Sequence, residues 1–477
     1  MTGFSEYEDH DGVGLAELVR AGMVSPLDLL DAAIARIEAR NPEINAVVTQ
    51  LYDRGRKAIA EGLPEGPLMG VPYLLKELSA SLAGVATTRG SRFFADQVPP
   101  RDSEIVRRLK RAGLVICGKT NTCELGASLT CEPQLHGPTR NPWNTTLISG
   151  GSSGGAAAAV AARIVPMAHA SDGFGSIRAP AACCGLVGLK PSRGRNSFAP
   201  YLGEGLGGLA QEHAVTLSVR DSAALLDVTS GPVAGDPYAA PPAARPFLDE
   251  IGADPGKLRI AFTKKAPNGV PVAATPLRVL DETANLLADL GHHVEEADPD
   301  IEGDVIQPTF RTIIAANLAV MLSSHPSGRR PGPGEVETIT RKTAEIGEKT
   351  AAPYYQRAVI SAHHLARQMA AFHTSYDVLL TPGLAMDQPE LGWLDMMMDD
   401  VDEYWDRVAA FSPFTVWFNE TGQPAMVLPL GVSQAGLPVG VQLVARYGDE
   451  ATLFRLGHQL EIARPWAQRR PQLAEKL

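Results

Sequence analysis

Apolar positions along this chain fall into short blocks whose period switches between that of a helix and that of a strand. Leu29, Leu30, Ala33, Ile34 and Ile37 recur at helical spacing. They follow Ser25-Pro26 and Asp28, which read as an N-cap, a proline at the first helical position and an acid at the positive end. Asn41-Pro42 is expected to end this helix. Residues 45–51 and 71–75 read as short extended segments, and Lys76 stands directly after the second. From Asp102, the apolar residues Ile105, Val106, Leu109 and Ala112 predict a helix that stops at Gly113, and residues 114–117 a strand running into Gly118-Lys119-Thr120-Asn121. Helix, strand and glycine turn in that order is the rhythm of an α/β fold.

Further on, residues 133–143 read as irregular backbone, 149–155 as a glycine-serine loop entering an alanine-rich helix, and 177–208 as loop-rich. An apolar helix is expected at 222–228. A proline-alanine connection at 231–246 precedes a strand at 258–262, an amphipathic helix at 276–290 and a strand at 293–297. Strands are expected again at 376–380, 426–430 and 439–444, the last two as a hairpin, with a final helix after them. No internal repeat is present. The expectation is one domain over 1–477, with a helical segment at about 1–60, a core at about 65–230 and a continuation over 231–477. Within that continuation, residues 391–405 set Trp393, Met396, Met397, Met398, Tyr404 and Trp405 among five acids. They read either as a helix with its methionines in the core or as a mobile lid over an apolar ligand.

Composition narrows the partners. Hydrophobic residues are 44% and charged residues 20%, ordinary for a chain with a sizeable core. A net charge of −11 argues against a sequence-independent grip on nucleic acid and for a small-molecule partner. Cys117, Cys123, Cys131, Cys183 and Cys184 are odd in number and form no C-x-x-C pair, so reduced thiols in a cytoplasmic protein are expected. The acidic N-terminus lacks the apolar run of a signal peptide. No stretch of about 18 uninterrupted apolar residues occurs, and no membrane span is expected.

Chemistry concentrates in residues 149–188, where one serine cluster surrounds Ser152 and Ser153 and a second ends at Ser176. A Walker loop needs Gly-Lys-Ser/Thr after its glycines, and here Gly154-Gly155 leads to alanine. The nucleophile-elbow pattern G-x-S-x-G matches twice, centred on Ser152 and on Ser153. That reading makes the protein a histidine-based α/β-hydrolase esterase, with His213, His325 and His458 as candidate bases. A third reading pairs a serine with a lysine base. Burial disfavours the ammonium, and Lys76 ends an apolar run.

Ten segments in order resemble the amidase signature family: 70–76 (GVPYLLK), 118–121 (GKTN), 139–143 (TRNPW), 150–155 (GGSSGG), Ser171-Asp172, 175–178 (GSIR), 185–191 (GLVGLKP), 219–221 (VRD), 419–424 (NETGQP) and 436–442 (GLPVGVQ). The resemblance covers nearly the whole chain. Residues 41–47, Tyr73-Leu74-Leu75 and the tail from Pro465-Trp466 to Arg470-Pro471 are most similar to its 6-aminohexanoate cyclic dimer hydrolase branch.

The resemblance implies an α/β fold: an open twisted, mostly mixed sheet flanked by helices on both faces. It implies amide hydrolysis through an acyl-enzyme by a Ser, cis-Ser, Lys triad, with Ser176 as nucleophile, Ser152 as the relay and Lys76 as base. Backbone N–H groups of Gly173, Phe174, Gly175 and Ser176 would form the oxyanion hole, and Ser153, Asp172 and Arg178 would support the loops. Neither a metal nor a cofactor is implied. Small, mostly apolar amides are the expected substrates, with esters, anilides and carbamates in reach. A glutaminase subunit of a tRNA-dependent amidotransferase is the alternative within the family, and a homodimer remains open. One departure stands out. The family has Thr-Gly-Gly before the nucleophile and this chain has Gly173-Phe174-Gly175, so Phe174 is expected to alter the backbone there or to intrude on the acyl pocket.

Overall fold

A computed structural model describes residues 4–476. An eleven-stranded sheet runs through it, in the spatial order Val47–Gln50, Val115–Thr120, Pro72–Lys76, Met167–Asp172, Gln211–Thr216, Val187–Lys190, Ala425–Val432, Pro438–Ala445, Val378–Pro382, Arg259–Phe262 and His293–Glu296. Pro72–Lys76 lies parallel to both of its neighbours. Pairing is antiparallel from Met167–Asp172 across to Val378–Pro382 and parallel again over the last two strands. Arg140–Asn141, where irregular backbone was expected, pairs with Asn144–Ile148 in a separate ribbon.

Side chains of a strand alternate between its faces, and here both faces are apolar. Ala425 and Val427 join one buried cluster with Leu30 and Ala158, while Met426 and Leu428 join another with Val219, Val279 and Leu453. The helices therefore cover the sheet on both sides. Pro26–Ile44 is one of them, opened by a reciprocal Ser25–Asp28 capping box. It does not stop at Asn41-Pro42. Pro42 falls in the last turn, and the helix ends where Asn45 turns left-handed (φ 49°) and Asn41 Oδ1 accepts from the N–H groups of Ala46 and Val47.

Three central strands lie where the hydrophobic pattern shows none: Met167–Asp172, Val187–Lys190 and Gln211–Thr216. Every residue in them is buried, so no polar face marks the period of two, and polar residues such as His169, Glu212 and His213 point inward. The helix expected at 222–228 extends over Val219–Thr229. Gly303–Ser323 has the length and composition to cross a membrane, yet half of it is buried, with Phe310, Ile313, Ile314 and Leu318 in the core. In the 391–405 segment only the part from Val401 is helical, in Val401–Phe411, so the methionines precede the helix. Leu394, Met396, Tyr404 and Trp405 are buried and Met397 is exposed.

Candidate active site

Lys76 closes one strand and Asp172 closes the parallel strand beside it. Both side chains therefore arrive at the C-terminal edge of the sheet, the edge where α/β folds place their ligand crevices. The loop entering Gly154–Ala161 brings Ser152 and Ser153 there, and residues 173–177, between Asp172 and Arg178–Cys184, bring Ser176. Glycine is required in the first loop because it closes against neighbouring backbone. A Cβ on Gly151 would lie 2.1 Å from the Thr130 carbonyl oxygen, and one on Gly155 2.5 Å from the Asn121 nitrogen. The Gly151–Ser152 peptide is cis.

Lys76 is fully buried. Its Nζ lies 2.7 Å from Ser152 Oγ, 2.8 Å from Ser153 Oγ and 3.0 Å from Ser171 Oγ, and it donates to the Ser171 carbonyl at 3.3 Å. Burial pushes the ammonium down to about 8. Ser153 is closer to the lysine than a supporting role suggests, but its hydroxyl also engages the Ser171 carbonyl (3.2 Å) and accepts from the Ser171 N–H (3.4 Å). Ser176 Oγ is buried and has no hydrogen-bond partner among the described residues. The structure thus groups Lys76, Ser152, Ser153 and Ser171 in direct contact, with Ser176 five residues along the chain from Ser171.

Asp172 and Arg178 form a fully buried ion pair through two bonds of 2.9 Å. The guanidinium also donates to the Thr415 carbonyl, Gln442 Oε1 and Asn419 Oδ1, and Asn419 Nδ2 returns to Asp172 Oδ1. These partners hold the Asp172 carboxyl well below the usual carboxylate range. One of the expected oxyanion donors makes a bond of its own. The Gly175 N–H donates to Asp172 Oδ1 at 2.7 Å, so the ionised carboxylate already holds it. Among the described residues, the N–H groups of Gly173, Phe174 and Ser176 have no acceptor. Gly175 adopts φ 133°, and a Cβ there would lie 2.5 Å from Thr415 Oγ1.

Phe174 keeps a negative φ. Its ring packs against Phe310 at 4.8 Å and Trp405 at 6.1 Å between centroids. The histidines of the elbow reading lie elsewhere: His213 contacts Ser222, His325 contacts Ser327 and Gln97, and His458 faces Glu461. Ser171, Thr415, Asn419 and Gln442 are site residues that the sequence reading left without roles. Ser171, Asn419 and Gln442 fall in quoted motifs, which is the signal they carry, and Thr415 lies outside them. A surface groove of about 720 Å³, lined by His363, Arg367, His373, Gln423 and Arg446 among others, contains none of these residues.

This fold with a buried lysine and serines at the ends of parallel strands is that of an amide-hydrolysing enzyme class, and the chain belongs to the amidase family, whose model matches residues 28–454. It is a hydrolase acting on amide bonds. It is 39% identical to the 6-aminohexanoate-cyclic-dimer hydrolase of Paenarthrobacter ureafaciens, over 97% of this chain and 96% of the relative. A solved structure of 6-aminohexanoate cyclic dimer hydrolase complexed with substrate matches it with a TM-score of 0.93 at 37% identity, covering 99% of this chain and 100% of that one. A bacterial aryl acylamidase of the amidase signature family matches with a TM-score of 0.86 at 26% identity over 98% of each chain.

Proposed function

We propose that the chain hydrolyses small, mostly apolar amides through an acyl-enzyme on Ser176, with Ser152 relaying the proton to neutral Lys76. The observation that carries this reading is the buried Lys76 Nζ 2.7 Å from Ser152 Oγ. An amine that titrates near 8 is neutral in useful amounts at mildly alkaline pH, and a hydroxyl against it gives a base with a proton to exchange. The family resemblance assigns the relay to Ser152, whose hydroxyl is hydrogen-bonded to Lys76, while Ser153 is also tied to Ser171.

Ser176 Oγ attacks the carbonyl carbon as its proton passes to Ser152 and that of Ser152 to Lys76. The N–H groups of Gly173, Phe174 and Ser176 receive the oxyanion, a well-placed donor contributing about 3 to 4 kcal/mol. The proton then returns through Ser152 to the leaving amine, and water repeats the cycle on the acyl-enzyme. These steps use this chain's groups and water alone. Relatives named for a cyclic dimer of 6-aminohexanoate and for aryl acylamides support amides flanked by methylene chains or rings. Esters, anilides and carbamates present the same carbonyl. Five buried free thiols suit a reducing, cytoplasmic setting.

The test is Ser176→Ala assayed beside the wild type on anilides, linear and cyclic aliphatic amides, carbamates and glutamine. Loss of every turnover that the wild type performs is expected, and near-normal turnover overturns the assignment. Activity on glutamine alone, and only with further subunits, would favour the glutaminase alternative.

A further inference from the structure

Beside Lys76 lies a buried carboxyl that the proposed reaction does not use. Glu212 sits directly opposite Ser171 in the antiparallel ladder between Met167–Asp172 and Gln211–Thr216. Opposite residues project to the same face, and the Ser171 hydroxyl on that face is 3.0 Å from Lys76 Nζ. The Glu212 carboxyl therefore occupies the same buried layer as the lysine. Its Oε1 has no hydrogen-bond partner and stands 3.7 Å from His169 Nε2.

The other titratable groups of this layer are held in one state. Burial lifts the thiols facing Lys76, Cys131 to about 12 and Cys123 well above its ordinary value. Asp172 is fixed as an anion by Arg178. Also next to Glu212, burial keeps the Tyr73 phenol protonated and holds His169 neutral by pushing it down to about 3. His213, near His169, is likewise pushed down to about 3, and Lys119 is paired with Glu77 at 2.7 Å. Glu212 is the exception. Burial raises its carboxyl to about 7, so its charge changes in the range where Lys76 must become neutral.

We infer that Glu212 is a positioning residue for the base: by holding or releasing its own proton it sets how readily Lys76 yields one, and hence where activity begins on the pH scale. This rests on Lys76 being the base, as proposed above. An ionised Glu212 stabilises the ammonium and a protonated one does not. The pair loses its two protons in two macroscopic steps, and the neutral amine appears in part after the first and fully after the second.

The experiment measures the rate at which a fluorophosphonate labels Ser176 as a function of pH, in the wild type, Glu212→Gln and Lys76→Met. The wild-type rise should be shallower than a single-proton curve. Glu212→Gln should give a single-proton rise displaced to lower pH by about one unit, the size of shift that a nearby opposite charge imposes. Coincident profiles, or a displacement to higher pH, overturn the inference while leaving the base in place. A Lys76→Met variant with wild-type rate and profile shows instead that the base assignment has failed. If Glu212→Gln lacks the wild-type circular dichroism spectrum, Glu212→Met, similar in size and uncharged, is read by the same outcomes. A wild-type rise of single-proton steepness counts against the inference without any variant.

Discussion

At Lys76 two effects act on one ammonium. Burial removes its water and favours the neutral amine, while Ser152, Ser153 and Ser171 supply the polar contacts that keep the side chain in place. Arginine could satisfy the contacts but could not act as a base. Lys76→Met, which keeps the length of the side chain, should lower kcat about 100- to 10,000-fold with the far-ultraviolet circular dichroism unchanged. The wild-type rate should rise with pH through about 8, because the folded protein holds this lysine below its ordinary value and the proposed mechanism needs its deprotonated form. A rate that falls steadily over that range in folded protein contradicts the assignment. The role of Lys76 was legible only through the family motif. Its apolar approach, residues 71–75, is equally consistent with a strand ending at an exposed lysine.

At the scale of elements, the loop after Met167–Asp172 is held from the far end of the chain. Arg178 bridges Asp172 to Thr415, Asn419 and Gln442, so the residues around Ser176 depend on segments more than 230 positions later. Asp172→Asn leaves the guanidinium buried without its anion and should cost about 3 to 5 kcal/mol of stability. Chemical denaturation checks this, and a loss below about 1 kcal/mol would show the pair to be dispensable. The same element explains what pattern reading missed. An amphipathic helix advertises one wet face, and Ala274–Asp289 was legible that way. Met167–Asp172 and Gln211–Thr216 are buried on both faces and carry polar residues for local contacts, which erases the alternation. The setting of Gly175 stayed hidden for a related reason. Its N–H is a donor, but only the structure reveals that Asp172 holds it.

Across the whole molecule, the proposed site draws Lys76, Ser152 and Ser176 from three separate segments, and the two apolar layers fix the sheet edge that carries Lys76 and Asp172. Phe174 ties that edge to the remote helices Ile306–Ser323 and Val401–Phe411 through Phe310 and Trp405. Phe174→Ala should therefore lower stability by about 3 to 5 kcal/mol, as removal of a buried aromatic does. A denaturation midpoint equal to that of the wild type would show that the ring packs against nothing essential. The order of the motifs made the family and the fold legible, because they recur along nearly the whole chain, in strands, turns and helix starts alike. The partners of these segments stayed hidden, since a contact such as that of Arg178 with Gln442 leaves no local trace.

The central claim is that Ser176 carries the acyl group. The most direct test is to quench the wild type during turnover of an amide that it hydrolyses and to map the modified peptide by mass spectrometry. The account predicts the acyl group on Ser176 and none in Ser176→Ala. An acyl group on Ser152, Ser153 or a cysteine, or undiminished turnover by Ser176→Ala, would contradict it.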